Sequence, residues 1–173
     1  KNMEKIERRA ALASIGAMSL GITAFSKGEI VGKPYTIKKQ TLKTDILVIG
    51  GGTAGVIAAI QAGRAGIKTI LVENGSQLGG TTTTGGVAYP GIFFAWGKQV
   101  ISGIGWELVQ AAVALNDDTL PNFSIPHGKN HPRHQVRLNG QLYALLIEEK
   151  CIEAGVQIRF YETPTQITFQ NNN

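Results

Sequence analysis

Residues 46–73 read ILVIGGGTAGVIAAIQAGRAGIKTILVE, and this stretch carries the strongest structural pattern in the sequence. An apolar run rich in β-branched residues predicts a short buried strand over Asp45–Ile49. Small and apolar residues then recur at helical spacing over Thr53–Ala65, and Gly66 is well placed to end that helix. A second apolar run, Ile67–Val72, alternates as a strand does and is closed by Glu73. The order strand, glycine loop, helix and strand predicts a βαβ unit.

Three glycines of the loop match the G-x-G-x-x-G spacing of dinucleotide-binding proteins. Gly50 permits a sharp turn out of the strand, Gly52 lets a pyrophosphate approach the backbone, and Gly55 lets the helix pack closely on the strand. Glu73 can accept both hydroxyls of an adenosine ribose and would repel a ribose phosphate, which disfavours NADP. A glycine-rich turn without a ligand is the alternative. The predicted contacts are Gly50, Gly51, Gly52, Thr53, Ala54, Gly55, Glu73 and Asn74.

A second glycine-rich segment follows the acid, and residues 74–91 read NGSQLGGTTTTGGVAYPG. A βαβ fingerprint ending in Glu, followed by this segment, resembles the FAD-dependent oxidoreductase family within the glutathione-reductase-like superfamily. The resemblance implies that FAD is the cofactor and that Gly79, Gly80, Thr81 and Thr82 line it. It also implies flavin-mediated hydride transfer from a small organic substrate. The residues alone permit the same interpretation, because paired glycines allow close approach and the hydroxyls of Thr81–Thr84 can donate hydrogen bonds. A solvated polar loop is the alternative.

Residues 87–138 form a long excursion between the second and third strands of the predicted sheet. Its aromatic side chains can either build the core or shield a flavin, and Val100–Val113 has partly helical spacing. The region holds all three histidines, but Pro126 and Pro132 break any helix that would align them, so the sequence predicts no metal site. A surface loop near a substrate entrance is the preferred interpretation. The basic residues there could meet an anionic substrate or simply be solvated: Lys129, Arg133 and Arg137.

The last third of the sequence predicts one more helix and one more parallel strand. Apolar residues recur at helical spacing over Asn139–Ala154, Gly155 ends the helix, and Val156–Phe160 alternates as a third strand. The predicted fold class is α/β, a Rossmann-like βαβ unit with a parallel sheet of strand order 3-2-1 and a long insertion between the second and third strands. Thr165–Gln170 alternates again as a further strand would. The family resemblance implies that Thr163–Gln166 touch adenine through their backbone.

The N-terminal residues carry a different signal. Arg8–Arg9 precede a weakly apolar stretch, Ala10–Phe25, which is too short for a membrane span and resembles a twin-arginine export signal. The sequence therefore predicts that residues 1–28 direct export to the periplasm. The alternative is a cytoplasmic protein in which these residues form an N-terminal amphipathic helix. Residues 29–44 read as a basic linker, and residues 45–173 as the cofactor-binding domain.

Composition narrows the possible functions. Much of the net charge of +5 lies before residue 44, which argues against a nucleic-acid-binding face on the folded part. The single cysteine, Cys151, excludes an internal disulfide or a cysteine-built metal site, and its helical setting predicts a core residue. We expect the FAD-binding N-terminal part of an oxidoreductase, with no side chain assigned as the catalytic base. There are two alternatives. The chain could be a dinucleotide-binding module without redox activity, or a part of an enzyme that is inactive without a further C-terminal region.

Overall fold

The structure is a computed structural model, and it describes residues 39–125, 128 and 130–169. The predicted export segment 1–28 lies outside the described residues, as do most of the linker 29–44, His127, Lys129 and Gln170. The described fold belongs to one compact unit that begins at Leu42.

Three parallel strands form the central sheet: β1 (Ile46–Ile49), β2 (Thr69–Glu73) and β5 (Gln157–Phe160). β2 lies in the middle, with Val48 opposite Leu71 and Leu71 opposite Ile158. The predicted strand order 3-2-1 is confirmed. The alternation expected in the second strand is wrong, because Thr69–Val72 are all buried. A central parallel strand is covered on both faces and so carries a continuous apolar run. In β1, by contrast, Leu47 and Ile49 are exposed.

Three helices accompany the sheet: α1 (Thr53–Arg64), α2 (Ile104–Leu115) and α3 (Gly140–Glu153). All three lie close to the lengths expected from helical spacing. Gly66 and Gly155 follow α1 and α3 in the left-handed region, at φ +76° and +79°, and end those helices as predicted. Asn139 caps α3, because its Oδ1 accepts hydrogen bonds from the Gln141 and Leu142 N–H groups. The core lies between the sheet and the helices and includes Ile60, Leu71 and Ile147.

The excursion between β2 and β5 contains α2 and a small hairpin, β3 (Phe94–Ala95) paired with β4 (Lys98–Gln99). Its aromatic rings pack on one another, with Phe94 stacked on Phe123 at 4.0 Å between ring centroids and Phe93 beside Trp106 at 4.9 Å. These rings belong to the core or pack against it, in agreement with the core interpretation.

His134 departs from the expected surface loop. It is only 5% exposed, lies against Phe123, and its Nε2 donates to the Ile125 carbonyl oxygen at 2.9 Å. The turn residues around it gave no sign of this burial, because the partner ring is eleven positions away in the sequence. Within the described part of the chain, no group of three His, Cys, Asp or Glu side chains could hold a metal ion.

The strand expected over Thr165–Gln170 is also wrong. Residues 162–169 have no regular secondary structure, and Ile167 and Phe169 are 65% and 90% exposed. Alternating residues form a strand only where a neighbouring strand accepts their backbone hydrogen bonds. Among the described residues, no strand pairs with this segment. No helix of the described residues has both the length and the apolar character needed to cross a membrane.

Cys151 is fully buried in α3, as its helical setting predicted, and burial raises the pKa of its thiol to about 11. The reactive thiolate is therefore scarce in the folded protein below that pH. We expect alkylation of Cys151 by iodoacetamide at pH 8 to be at least tenfold slower in the native protein than in urea. The reason is that a smaller fraction of the thiol is ionised at this pH when burial raises its pKa. Mass spectrometry of the modified peptide measures this, and equal rates in the two states would contradict the buried placement.

Candidate dinucleotide-binding site

The glycine loop, Gly50–Gly55, joins β1 to the N-terminus of α1. Gly50 has φ +96°, and its N–H donates to the Val72 carbonyl at 2.8 Å, which ties the turn to β2. A Cβ on Gly55 would lie 1.9 Å from the Gly50 carbonyl oxygen and 3.4 Å from Val48 Cγ1. Both predicted roles are confirmed: Gly50 makes the turn, and Gly55 allows close packing of helix on strand.

Gly52 is different, because the protein itself does not require a glycine there. Its φ and ψ are −66° and 178°, a backbone conformation that any residue adopts, and a Cβ at this position would meet no atom within 4 Å. Gly52 is the N-cap of α1, and the next two residues, Thr53 and Ala54, are exposed. The first N–H groups of a helix have no acceptor within it, and no acidic residue lies in this first turn. The open space beside Gly52 and the free end of the helix dipole fit a phosphate group.

Glu73 lies at the carboxyl end of β2, directly beside this loop. Its Oε2 accepts from the Gly51 N–H at 2.6 Å, and its Oε1 accepts from the Gly75 N–H at 2.7 Å. A Cβ on Gly51 would lie 3.0 Å from Glu73 Oε2 and 2.4 Å from Leu78 Cδ2, so this glycine is required by the carboxylate and the core. Each carboxylate oxygen has a second lone pair that can accept from a ribose hydroxyl. Sequence reasoning predicted the ligand role of Glu73 but missed its backbone bonds.

The second glycine segment, Gly79–Thr82, packs directly on the glycine loop. The Gly79 N–H donates to the Gly51 carbonyl at 2.8 Å, and Gly52 and Gly79 form an isolated parallel bridge. A Cβ on Gly80 would lie 3.0 Å from Gly52 Cα. Two glycine-rich segments that are 27 positions apart therefore lie side by side, as a shared ligand site requires.

The threonines of this region do not all point to solvent. Thr81 and Thr84 are exposed, whereas Thr82 and Thr83 are buried. Thr83 Oγ1 donates to the Leu78 carbonyl at 2.6 Å, so this hydroxyl is occupied within the protein. The expectation of four available hydroxyls is therefore wrong for Thr83. Asn74 is exposed in the loop after β2.

Comparison with known proteins identifies a matching family and several relatives that share part of this sequence. A family model described as FAD dependent oxidoreductase matches residues 45–173. The chain is 30% identical over 131 residues to nicotine dehydrogenase of Pseudomonas putida, covering 70% of this chain and 27% of that protein. It is 41% identical over 78 residues to pseudooxynicotine dehydrogenase of Pseudomonas sp, covering 43% of this chain and 15% of that protein. Dihydrolipoyl dehydrogenase of Pseudomonas aeruginosa is 60% identical over 42 residues, which cover 24% of this chain and 9% of that protein.

Among solved structures, Thermovibrio ammonificans THI4 aligns with a TM-score of 0.43 and 12% identity, over 87% of this chain and 46% of that chain. The chain spans between 9% and 27% of the length of the three curated relatives named above.

Proposed function

The chain belongs to the FAD dependent oxidoreductase family, whose cofactor is FAD, and on that premise we propose that it supplies the adenosine- and pyrophosphate-binding part of a flavin enzyme. The observation that carries the proposal is the open space at Gly52, a glycine that neither packing nor backbone conformation requires. In this proposal the helix N-terminus at Thr53 and Ala54 holds the pyrophosphate. Glu73 accepts the ribose hydroxyls.

The remaining predicted contacts differ in their exposure to solvent. Gly79 and Gly80 pack on the glycine loop, where a Cβ on Gly79 would lie 2.4 Å from Thr83 Cγ2 and a Cβ on Gly80 would lie 3.0 Å from Gly52 Cα, so packing already requires both glycines. The exposed Thr81 hydroxyl is free to donate to the cofactor. Asn74 is exposed beside Glu73 and joins the ribose side of the proposed site. Thr82 is 5% exposed and its N–H donates to the Gly79 carbonyl at 3.2 Å, so we propose no direct contact between Thr82 and the cofactor.

When bound, FAD supplies the redox chemistry, which we propose to be oxidation of a small organic substrate by hydride transfer. Three relatives that share part of this sequence are dehydrogenases by name, which supports this reaction class. The residues of the proposed site bind and orient the cofactor.

The experiment is an absorbance spectrum of the purified intact protein. A flavin spectrum that bleaches with an organic substrate supports an oxidoreductase. Tightly bound FAD that no substrate bleaches would favour the alternative, a non-redox FAD-binding module.

Replacement of Glu73 by glutamine tests the ribose contact. The amide nitrogen cannot accept a hydrogen bond, so one of the two ribose hydroxyls would lose its proposed acceptor, in addition to one of the Gly51 and Gly75 N–H groups within the protein. Hydrogen bonds to charged groups contribute about 1.5–3 kcal/mol, so we expect FAD to bind roughly 10- to 100-fold more weakly. Fluorescence titration of the cofactor-free protein measures this. The matched control is Glu149→Gln, at an exposed position on α3, which should bind FAD like the wild type. If both variants bound FAD normally, Glu73 would not be a ligand.

Export is a second proposal, supported by Arg8–Arg9 and the weakly apolar stretch that follows them. A protein that acquires FAD before crossing a membrane needs a route that carries folded proteins. We expect the wild type in the periplasmic fraction, and Arg8→Lys combined with Arg9→Lys to retain it in the cytoplasm. Immunoblots of fractionated cells test this, and full-length wild-type protein found only in the cytoplasm would refute export.

A further inference from the structure

A polar cleft with a volume of about 690 Å³ lies between the loop that follows α2 and the segment that leads into α3. Residues from the range 116–121 contribute one wall, and residues 135–140 form the other. Among the described residues that line the cleft, Arg137 carries a positive charge and Asp118 a negative charge. Clefts of this size hold small molecules, and a few polar groups fix the orientation of the ligand. None of the lining residues belongs to the glycine loop or to the proposed ribose site.

Arg137 is held at the cleft by the residues on either side of it. Val136 and Leu138 are buried, whereas Arg137 between them is exposed. This alternation is typical of an extended chain, in which successive side chains point to opposite sides. The Leu138 N–H also donates to the Ala88 carbonyl at 2.8 Å, which fixes the segment. Arg137 forms no ion pair with any other described residue, so its guanidinium is available to a ligand.

Asp118 is positioned by the turn that ends α2. Asp117 has φ +55°, and the N–H groups of Asp117 and Asp118 donate to the carbonyls of Ala114 and Val113, both at 3.1 Å. This is the Schellman pattern of helix ends, with an aspartate in the place that glycine usually takes. Asn116 Nδ2 donates to Asp118 Oδ2, which fixes the carboxylate. The other oxygen, Oδ1, accepts no hydrogen bond from the described part of the chain and can accept from a ligand.

Side-chain amides join the two walls of the cleft. Asn139 Nδ2 donates to Asn116 Oδ1 at 3.1 Å, and Asn139 Oδ1 accepts from the Gln141 and Leu142 N–H groups. A chain of hydrogen bonds therefore runs from Asp118 through both asparagines to the first turn of α3. A connected network of this kind holds the polar groups of a site in place before a ligand binds.

We propose that this cleft binds a small molecule that carries both a carboxylate and an ammonium group. The Arg137 guanidinium binds the carboxylate through two N–H groups, and Asp118 Oδ1 accepts from the ammonium. A phosphate does not fit, because Asn139 already occupies N–H groups of the α3 N-terminus and Asp118 repels a multiply charged anion. A ligand with a single charge leaves the opposite charge of the cleft without a partner.

Isothermal titration calorimetry of the intact protein tests the site with zwitterions of increasing length: glycine, γ-aminobutyrate and 6-aminohexanoate. Butyrate and butylamine are the comparison probes, because each carries only one of the two charges. We expect the tightest zwitterion to bind at least tenfold more tightly than either comparison probe. Arg137→Gln and Asp118→Asn should each weaken that zwitterion by about tenfold or more, because each removes a hydrogen bond between charged groups.

The matched controls are Arg133→Gln and Asp117→Asn, which remove the same charges at exposed positions that do not line the cleft. Both should bind the zwitterion within about twofold of the wild type. The substituted side chains Arg137 and Asp118 are themselves exposed, and asparagine at position 118 keeps an oxygen that can accept from Asn116. All variants should therefore fold, and unfolding curves check this.

Failure of the wild type to bind any of these zwitterions would overturn the inference. Tighter binding of butyrate to Asp118→Asn than of any zwitterion to the wild type would also overturn it, because the cleft would then be a simple anion site. FAD affinity is measured in parallel, and Arg137→Gln should bind FAD like the wild type. An equal loss of FAD and zwitterion affinity in that variant would make the cleft part of the cofactor site and overturn the inference. Zwitterion binding to a wild type that bound no FAD would support the cleft and contradict only the proposed function.

Discussion

Replacement of Gly52 by valine is expected to abolish tight FAD binding while leaving the cofactor-free protein folded. A Cβ at this position meets no protein atom within 4 Å, and φ −66° suits any residue. The isopropyl group would instead occupy the space beside the helix N-terminus where we place the pyrophosphate. We expect FAD affinity to fall by about 100-fold or more, which corresponds to roughly 2.7 kcal/mol. The free energy of unfolding without cofactor should fall by only about 1 kcal/mol, because valine is a poorer N-cap than glycine.

The matched control for this variant is Gly66→Ala. Gly66 lies beyond the far end of α1 at φ +76°, so alanine should destabilise the protein by about 1–2 kcal/mol through backbone strain alone. Its FAD affinity should match that of the wild type. Titration of both variants with FAD, alongside urea unfolding, distinguishes a lost site from a weakened fold. Wild-type affinity in Gly52→Val would show that the space at Gly52 is not the pyrophosphate site.

Replacement of Gly55 by valine is expected to lower the stability of the protein strongly even without cofactor, in contrast to replacement of Gly52. The new Cβ would lie 1.9 Å from the Gly50 carbonyl oxygen, which belongs to backbone that cannot move aside as a flexible side chain can. Relief of this overlap requires α1 to move away from β1 and its packing to be lost. We expect a loss of about 3 kcal/mol or more, at the upper end of the range for overpacked cores.

Urea unfolding followed by circular dichroism measures the stability of Gly55→Val. A suitable control is Gly105→Ala in α2, where the added Cβ would lie 3.3 Å from the flexible end of Ile57. That variant should remain within about 1 kcal/mol of the wild type, because a side-chain end can shift and alanine favours helix. A wild-type unfolding midpoint in Gly55→Val would contradict the close packing of α1 on β1.

The parts of the fold that the sequence predicted depend on local signals. The turn at Gly50, the helix end at Gly66 and the close packing at Gly55 each follow from one residue type at one position. The acid at the end of β2 follows from the same local pattern. These features could be predicted because glycine and carboxylate chemistry act within a few residues of where they occur in the sequence.

The parts that the sequence could not predict depend on contacts between distant segments. The burial of His134 requires the Phe123 ring, and the exposure of residues 163–169 follows from the lack of a strand paired with them in the described fold. The hydrogen bond from the Thr83 hydroxyl to the Leu78 carbonyl depends on the turn that Gly79 makes. Glu73 also accepts hydrogen bonds from two backbone N–H groups beside the proposed ribose position, and no pattern in the sequence predicts these bonds.

We propose that this chain binds the adenosine and pyrophosphate half of FAD at Gly52 and Glu73. Competition between FAD and its fragments for the intact protein distinguishes this placement from one that depends on the flavin end. ADP carries the adenosine and the diphosphate, whereas riboflavin carries neither. ADP should displace FAD competitively from the wild type, and Gly52→Val and Glu73→Gln should both weaken ADP by the same factors as FAD. Displacement of FAD by riboflavin but not by ADP would contradict this placement.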